Sequence, residues 1–200
     1  MYSQFGEDDI IKEYFPKSYK GVCIEVGAAD GKMGSNTLMF EEKGWMTLCI
    51  EPNPELFKQM SKIRKLTENY AISDKEGELN FTVFDIPGSN YSAVSSLTVD
   101  DRLLKQHENL IKSKTEIKVR VSTLDKVLSL YPQIEVIDFI SIDTEGTELD
   151  VLRGFDIERW KPKLMVIENN FNDPEIEDYL NVFGYVKTRR NVVNDFYELK

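Results

Sequence analysis

Gly21-Val22-Cys23-Ile24-Glu25-Val26-Gly27-Ala28-Ala29-Asp30-Gly31 is the stretch that decides the fold. Its apolar residues run almost without alternation into a turn that carries two glycines. A near-continuous apolar run marks a strand buried on both faces of a parallel sheet. Glycines just beyond it let the backbone take positive φ and let a ligand approach closely. In open α/β sheets a strand that ends in such a turn borders the ligand crevice. Ala29 stands where GxGxxG has its middle glycine, and Gly31-Lys32 is followed by Met33, so neither a dinucleotide loop nor a P-loop fits.

Working outward, further runs of strand character occur at residues 47–51 (TLCIE), near Asn69 to Ile72, at 138–143 (DFISID) and at 163–168 (KLMVIE). Helix-like stretches alternate with them, the pattern of βαβ units. Residues 35–44 predict a helix that Ser35 or Asn36 caps and Gly44 ends. Residues 53–63 predict another, with Asn53 as N-cap and Pro54 in the first turn. Residues 78–85 (ELNFTVFD) and 117–125 (IKVRVSTLD) alternate, as half-buried strands do. Between them lies a polar segment around 86–116, too long for an ordinary connection, read as an acceptor-binding insertion with a short helix. A helix over about 174–183, then residues 185–190 (YVKTRR) and a strand near 195–200 complete the chain.

The 200 residues suit a single domain spanning 1–200 with a core that needs no disulfide or metal staple. Thirty-five acidic residues against 25 basic ones give a net charge of −10. That excludes a chain-wide basic field for nucleic acid or anionic membrane and leaves only a local basic patch around Arg189 and Arg190. Apolar windows are short, so no membrane insertion is expected. Cys23 and Cys49 read as reduced, buried thiols of a cytoplasmic protein.

Two carboxylates define the ligand. Glu25 precedes the glycine turn, where it would repel a diphosphate and attract an ammonium group. Glu51 ends the next strand, about 20 residues beyond Gly31, where an acid can accept both ribose hydroxyls. A ligand with an amino-acid end, a ribose and no phosphate satisfies both, and S-adenosylmethionine is one.

Residues 3–8 (SQFGED), 24–31 (IEVGAADG), 35–37 (SNT), 49–57 (CIEPNPELF), 69–77 (NYAISDKEG), 122–125 (STLD), 138–155 (DFISIDTEGTELDVLRGF) and 164–169 (LMVIEN) resemble, in this order, the FkbM family of S-adenosylmethionine-dependent methyltransferases. The resemblance covers nearly the whole chain. It implies an α/β, Rossmann-like class I methyltransferase fold, with a seven-stranded, mostly parallel sheet, an antiparallel last strand and helices on both faces. It further implies that Gly27, Ala28, Gly31 and Glu51 line the cofactor site. Gln4 and Asn36 would close over the methionine end, and Ala71 would flank the adenine. Family members often carry more sequence before the segment that starts here at Ser3, so the chain is expected to be one domain of a larger protein.

A second acidic group follows the strand at 138–143. Asp143 and Glu145 would sit near the reacting methyl by the switch-point rule, with Asp143 also touching the cofactor. Glu148 and Asp150 read as a solvated first helical turn. Asp143, Glu168 and Asn169 or Asn170 offer oxygen ligands for Mg²⁺ or Mn²⁺. His107, the single histidine, is a further candidate base. The expected chemistry is O-methylation of a hydroxyl, and the resemblance points to a sugar or glycan acceptor. Tyr91, Ser92, Ser95, Ser96, His107 and Asn109 would line its pocket, while Trp45 and Trp160 pack the sheet. Two alternatives stay open: transfer to another small molecule, lipid or protein, and a silent scaffold that retains the cofactor fold.

Overall fold

A computed structural model describes residues 1–85 and 95–200. The apolar run at residues 21–26 forms β1 (Val22–Val26). It is followed in the chain by β2 (Met46–Ile50), β3 (Leu66–Glu68), β4 (Ala71–Ile72), β5 (Gly77–Asp85) and β6 (Ser113–Ser122), then β7 (Phe139–Ile142), β8 (Leu164–Glu168), β9 (Tyr185–Asn191) and β10 (Asn194–Leu199). Seven strands make one sheet in the order β3-β2-β1-β7-β8-β10-β9. β10 alone runs against its neighbours, slotted between β8 and β9. The other neighbouring pairs are parallel. This is the mostly parallel sheet with a reversed last strand expected from the sequence. The chain order reverses at β1, whose neighbours are β2 and β7, and that switch point opens a crevice at the strands' C-terminal ends.

One strand differs from its expectation. The run near Asn69 to Ile72 splits: Leu66–Glu68 pairs with β2, while Ala71–Ile72 turns into a second sheet of order β4-β6-β5. Periodicity cannot register such a split, because runs of three and two residues are too short to show a pattern. β5 and β6 are the two alternating segments, paired antiparallel along their length.

Helices cover both faces. α1 (Glu7–Ile11) and α2 (Leu38–Glu42) join the face of Cys23, Phe139, Leu164, Val166 and Phe196, with Phe15 and Trp45. α5 (Leu124–Leu128), α6 (Glu148–Arg153), α7 (Ile157–Trp160) and α8 (Glu175–Val182) pack the other face, against Ile24, Val26, Leu48, Ile50, Ile140, Ile142, Met165 and Ile167. The strict alternation between the two sets is the period-2 geometry of a strand seen from both sides. Trp45 lies edge-on to Phe15 and Phe40, and the Trp160 indole donates to Asp125 Oδ1 at 2.7 Å, so both tryptophans are packing residues as expected. α3 (Pro54–Met60) starts as read, with Asn53 Oδ1 accepting from Glu55 N at 3.0 Å. α4 (Asp101–His107) is the short helix of the polar segment. The N-cap of α2 is Thr37, whose side chain makes no capping bond, and Ser35 Oγ, two positions earlier, accepts from Leu38 N at 3.0 Å. No helix among the described residues is long and apolar enough to cross a membrane. The expected basic patch is not free: Arg190 pairs with buried Asp195 at 2.8 Å, and Arg189 faces Glu13 at 3.7 Å.

Arg64 ties the glycine loop to the rest. Its side chain is fully buried. Nε donates to Glu41 Oε2 at 2.7 Å, and Nη2 donates to Thr37 Oγ1 at 2.6 Å. Nη1 reaches Gly31 O at 3.0 Å, Ser35 Oγ at 3.1 Å and Glu25 Oε2 at 3.2 Å. One guanidinium therefore binds β1, the loop, residues 35–37 and α2. Removing one partner of a buried ion pair leaves the other charge uncompensated, which costs roughly 3–5 kcal/mol. Arg64→Met is expected to lower the unfolding free energy by about that much, measured by urea denaturation; a loss below ~1 kcal/mol, the ceiling for exposed pairs, would remove Arg64 from this role.

Candidate active site

The glycine loop is held at both ends. Gly27 and Ala28 donate their N–H groups to Ile50 O, each at 3.0 Å, and Asp143 N donates to Val26 O at 3.0 Å. Gly27 has φ +82, and a Cβ there would stand 1.6 Å from the Asp143 carbonyl oxygen. No other residue lets the β1 and β7 ends approach this closely. Ala29 takes the left-handed conformation at φ +47, and its N–H points at Glu51 Oε2, 2.9 Å away.

These ends enclose a cleft of about 550 Å³. That is the size of a small-molecule site. Gln4, Glu25, Gly27, Ala28, Glu51, Ala71, Asp143 and Glu145 line it, so most of the sequence-predicted cofactor residues converge. Gly31 and Asn36 do not line it. Gly31 packs instead on Met60 and Arg64, where a Cβ would come within 2.7 Å and 2.9 Å of side-chain carbons. Asn36 is buried behind the wall, its Nδ2 donating to Ser141 Oγ at 2.9 Å, while its Oδ1 has no hydrogen-bond partner among the described residues. Tyr70, Ile72, Phe81 and Leu97 add an apolar wall, contributed largely by the second sheet. Sequence reasoning missed this wall, because only the split after β3 turns that sheet towards the crevice.

The segment at residues 3–8 owes its place to two buried acids. Asp8 accepts from Tyr2 N at 2.8 Å and Ser3 Oγ at 2.6 Å. Glu7 Oε1 accepts from Asn191 and Asn194. This clamp leaves Gln4 exposed over the cleft.

Glu25 is more constrained than a free ammonium ligand. Oε2 takes Thr37 Oγ1 at 2.6 Å, Ser35 Oγ at 2.8 Å and the Arg64 guanidinium; Oε1 takes Asn36 N at 2.7 Å. Glu51 is 5% exposed and accepts Asn53 N at 2.8 Å and Ala29 N. Burial pushes its carboxyl up to about 7, against the pull of those two N–H groups.

After β7 the chain makes a strained turn. Glu145 sits at φ +58 and Gly146 at φ +104. Glu148, expected on a solvated helical turn, is 6% exposed instead. Its Oε1 accepts from Thr144 N at 2.8 Å, Thr144 Oγ1 at 3.0 Å and Gly146 N at 3.1 Å. That carboxylate organises the turn and turns Glu145 towards the cleft. Asp150 behaves as expected, pairing with Arg153 near the surface.

Asp143, Glu145 and Glu168 each place a carboxylate oxygen within 4.8 Å of the others. Burial, then the neighbouring acids, hold Asp143 and Glu168 well above the usual carboxylate range. Asn169 is not part of this group. Its Nδ2 donates to Asp173 O at 2.9 Å and Asp195 Oδ2 at 3.1 Å, and its Oδ1 accepts Asp173 N at 2.8 Å. Asn170 lines a side cavity of about 200 Å³ with Glu148 and Glu168.

His107 does not reach the cleft. It ends α4 half-buried, with Nδ1 on Leu103 O at 3.0 Å. Of the expected acceptor residues, Ser95 lines the cleft and Ser96 Oγ donates to Thr144 O at 3.2 Å. Asn109 is exposed away from the cleft, and Tyr91 and Ser92 lie outside the described residues.

The model of the methyltransferase FkbM domain matches residues 25–187, and the chain belongs to that family. It is 26% identical over 145 residues to Methyltransferase 1 of Beauveria bassiana (strain ARSEF 2860), covering 66% of this chain and 58% of the relative. It is 26% identical over 174 residues to Methyltransferase sdnD of Sordaria araneosa, covering 71% and 65%. The chain thus spans less than two thirds of the length of either relative. Among solved structures it resembles the FkbM methyltransferase of Methylobacillus flagellatus KT, with a TM-score of 0.56 at 15% identity over 92% of this chain and 44% of that one. The METTL16 methyltransferase domain gives a TM-score of 0.50 at 13% identity over 95% and 64%. At these identities the two structures carry the class I methyltransferase fold and no more.

The raised Glu51 carboxyl makes stability depend on pH. Between the unfolded value of 4.5 and about 7, the folded chain keeps a proton that the unfolded chain has released. Stability from this group is therefore full below that window and falls as pH rises through it. From pH 5 to pH 8 the wild type should lose roughly 2 kcal/mol relative to Glu51→Gln, read from urea titrations of both at each pH; parallel pH profiles would show an ordinary Glu51.

Proposed function

We propose that the chain is an S-adenosylmethionine-dependent O-methyltransferase, acting on a hydroxyl of a sugar or glycan. The observation that carries this reading is Glu51. It is a buried carboxylate at the end of β2, braced by two backbone N–H groups, and it faces the cleft across the glycine turn. Its remaining lone pairs suit the two hydroxyls of a ribose. Glu25 Oε1 accepts one N–H from Asn36 and keeps acceptor capacity for an ammonium group. Gln4 stands near the amino-acid end in this reading, with Asn36 behind the wall, and Ala71, with Tyr70 and Ile72, flanks the base.

The bound sulfonium would supply an activated methyl group. The chain's own residues do the rest. The cleft walls hold the acceptor oxygen in line with the methyl carbon, and positioning of this kind accounts for up to ~7–11 kcal/mol of a barrier. As the oxygen–carbon bond forms and the sulfur–carbon bond breaks, the one hydroxyl proton passes to a carboxylate, that of Asp143 or of Glu145. Those acids line the cleft, whereas His107 does not, which supports the carboxylates as bases. The net charge of −10 supports an acceptor other than nucleic acid. Two buried free thiols support a reducing compartment such as the cytoplasm. The apolar wall of Tyr70, Ile72, Phe81 and Leu97 favours a second reading, in which the acceptor is a less polar small molecule.

A screen with labelled S-adenosylmethionine against free sugars, glycans, nucleotide sugars and apolar alcohols, read by mass spectrometry, separates these acceptors. No transfer to any hydroxyl, with no binding of S-adenosylhomocysteine, would sink the proposal. Glu51→Ala removes charge-assisted hydrogen bonds of about 1.5–3 kcal/mol. Calorimetry should then find S-adenosylhomocysteine bound about ten- to a hundred-fold more weakly, and an unchanged affinity in a folded variant would take the ribose away from Glu51. Asp143→Asn should lower kcat by ~10²–10⁴-fold while S-adenosylhomocysteine still binds. Normal turnover in that variant would move the base elsewhere.

A further inference from the structure

We propose that Asp143, Glu145 and Glu168 bind one hard divalent cation, of the Mg²⁺ or Mn²⁺ kind, in the wall between the cleft and the side cavity. Three oxygens, one from each residue, lie within 4.8 Å of one another. Oxygens that share a cation at ~2.1–2.4 Å are at most ~4.2–4.8 Å apart, even when trans. Three oxygens no farther apart than 4.8 Å lie within a circle of radius at most ~2.8 Å, so each moves by roughly 0.7 Å or less to reach a cation at ~2.1 Å. An all-carboxylate donor set selects a hard cation over zinc or copper.

A second observation is independent of this proximity. Glu168 is 6% exposed, and its Oε2 is buried with no hydrogen-bond donor among the described residues. A buried carboxylate oxygen without a donor is costly to maintain. The neighbouring cations do not serve it. Arg102 is taken by Asp100 and Asp173, and Arg190 by Asp195 and Asn169 O. Neither Asp143 nor Glu168 has a salt-bridge partner among the described residues.

The surroundings also define what the site is not. Glu148 is committed to its turn, so it stands outside the ligand set. Asn169 is committed to Asp173 and Asp195, which corrects the ligand set expected from the sequence. Asp143 and Glu168 end adjacent strands, β7 and β8, and Glu145 is fixed by its left-handed turn, so the donors stand on a rigid frame. Asp143 and Glu145 face the cleft while Glu168 faces the side cavity. A cation between them keeps coordination positions open for water or an acceptor oxygen. Binding of the cation stands by itself; its use on an acceptor hydroxyl rests on the methyl-transfer reading above.

The test uses the full chain without cofactor. Mn²⁺ is titrated in and the free ion followed by electron paramagnetic resonance, with Mg²⁺ as competitor. The expected result is saturation at one Mn²⁺ per chain, displaced by Mg²⁺. Glu168→Gln and Glu145→Gln should each weaken binding at least tenfold, while the exposed control Asp178→Asn leaves it unchanged. Thermal melts of all three variants guard against unfolding, and Glu145→Gln alters a partly exposed side chain if Glu168→Gln does not fold. Two results would overturn the proposal: no saturable site in the millimolar range, or weak multiple binding equal in the wild type and the variants. Cation binding without S-adenosylhomocysteine binding would uphold this site and remove the methyl-transfer reading, so the two fail separately.

Discussion

The rest of the structure depends on one buried guanidinium. Arg64 stands where four pieces of chain must meet: the end of β1, the glycine loop, residues 35–37 and α2. Two of those pieces bring buried carboxylates, Glu25 and Glu41, and burying an unpaired charge is costly. The arginine fork satisfies both while also reaching a carbonyl and two hydroxyls, a geometry that a lysine ammonium cannot reproduce. Gly31 follows from the same constraint, since its missing side chain is the space that the Arg64 stem and Met60 fill. The loop that shapes the cleft is thus set from behind, by groups that no ligand touches.

The crevice gathers an unusual number of acids, and each is stabilised differently. Glu25 has an arginine, Glu51 has two backbone N–H groups, and Glu148 has the donors of the turn it organises. Asp143 and Glu168 have one another and Glu145. Groups whose charge is compensated by fixed donors act as architecture, while groups left facing each other retain capacity for a proton or a cation. That difference separates the residues that build the site from those that supply its chemistry. It also gives a reason for the strain at Glu145, because a left-handed turn is what turns this side chain towards the cleft.

The small second sheet gives the cleft its apolar side. β4 leaves the main sheet after three residues of β3 and carries Ala71 and Ile72 into the crevice, where Phe81 of β5 joins them. The segment beyond β5 is anchored on the same edge. Arg102 grips Asp173 through two hydrogen bonds and lies over the Phe171 ring at 4.0 Å. The loop after β8 is therefore coupled to α4, and the side cavity lies between them.

Much of this was legible in the sequence, and the reason is local. Strands β1, β2, β7 and β8 are buried on both faces, so their apolar runs announce them, and the glycine turn after β1 marks the switch point. Asn53 and Pro54 fix the start of α3 by capping chemistry that needs no partner from elsewhere. Glu51 and Asp143 could be placed because a strand end in a parallel sheet has a defined destination. What the tertiary structure alone decided concerns partners distant in sequence. Arg64 carries no signal in the sequence, and its role appears only when Glu25, Glu41 and Thr37 are brought around it. Glu148 reads as a solvated helical acid until the turn folds over it, and Asn169 reads as a ligand until Asp173 and Asp195 claim its amide. A polar side chain buried by folding takes its role from the donors and acceptors it meets there, and those are fixed by packing, not by spacing along the chain.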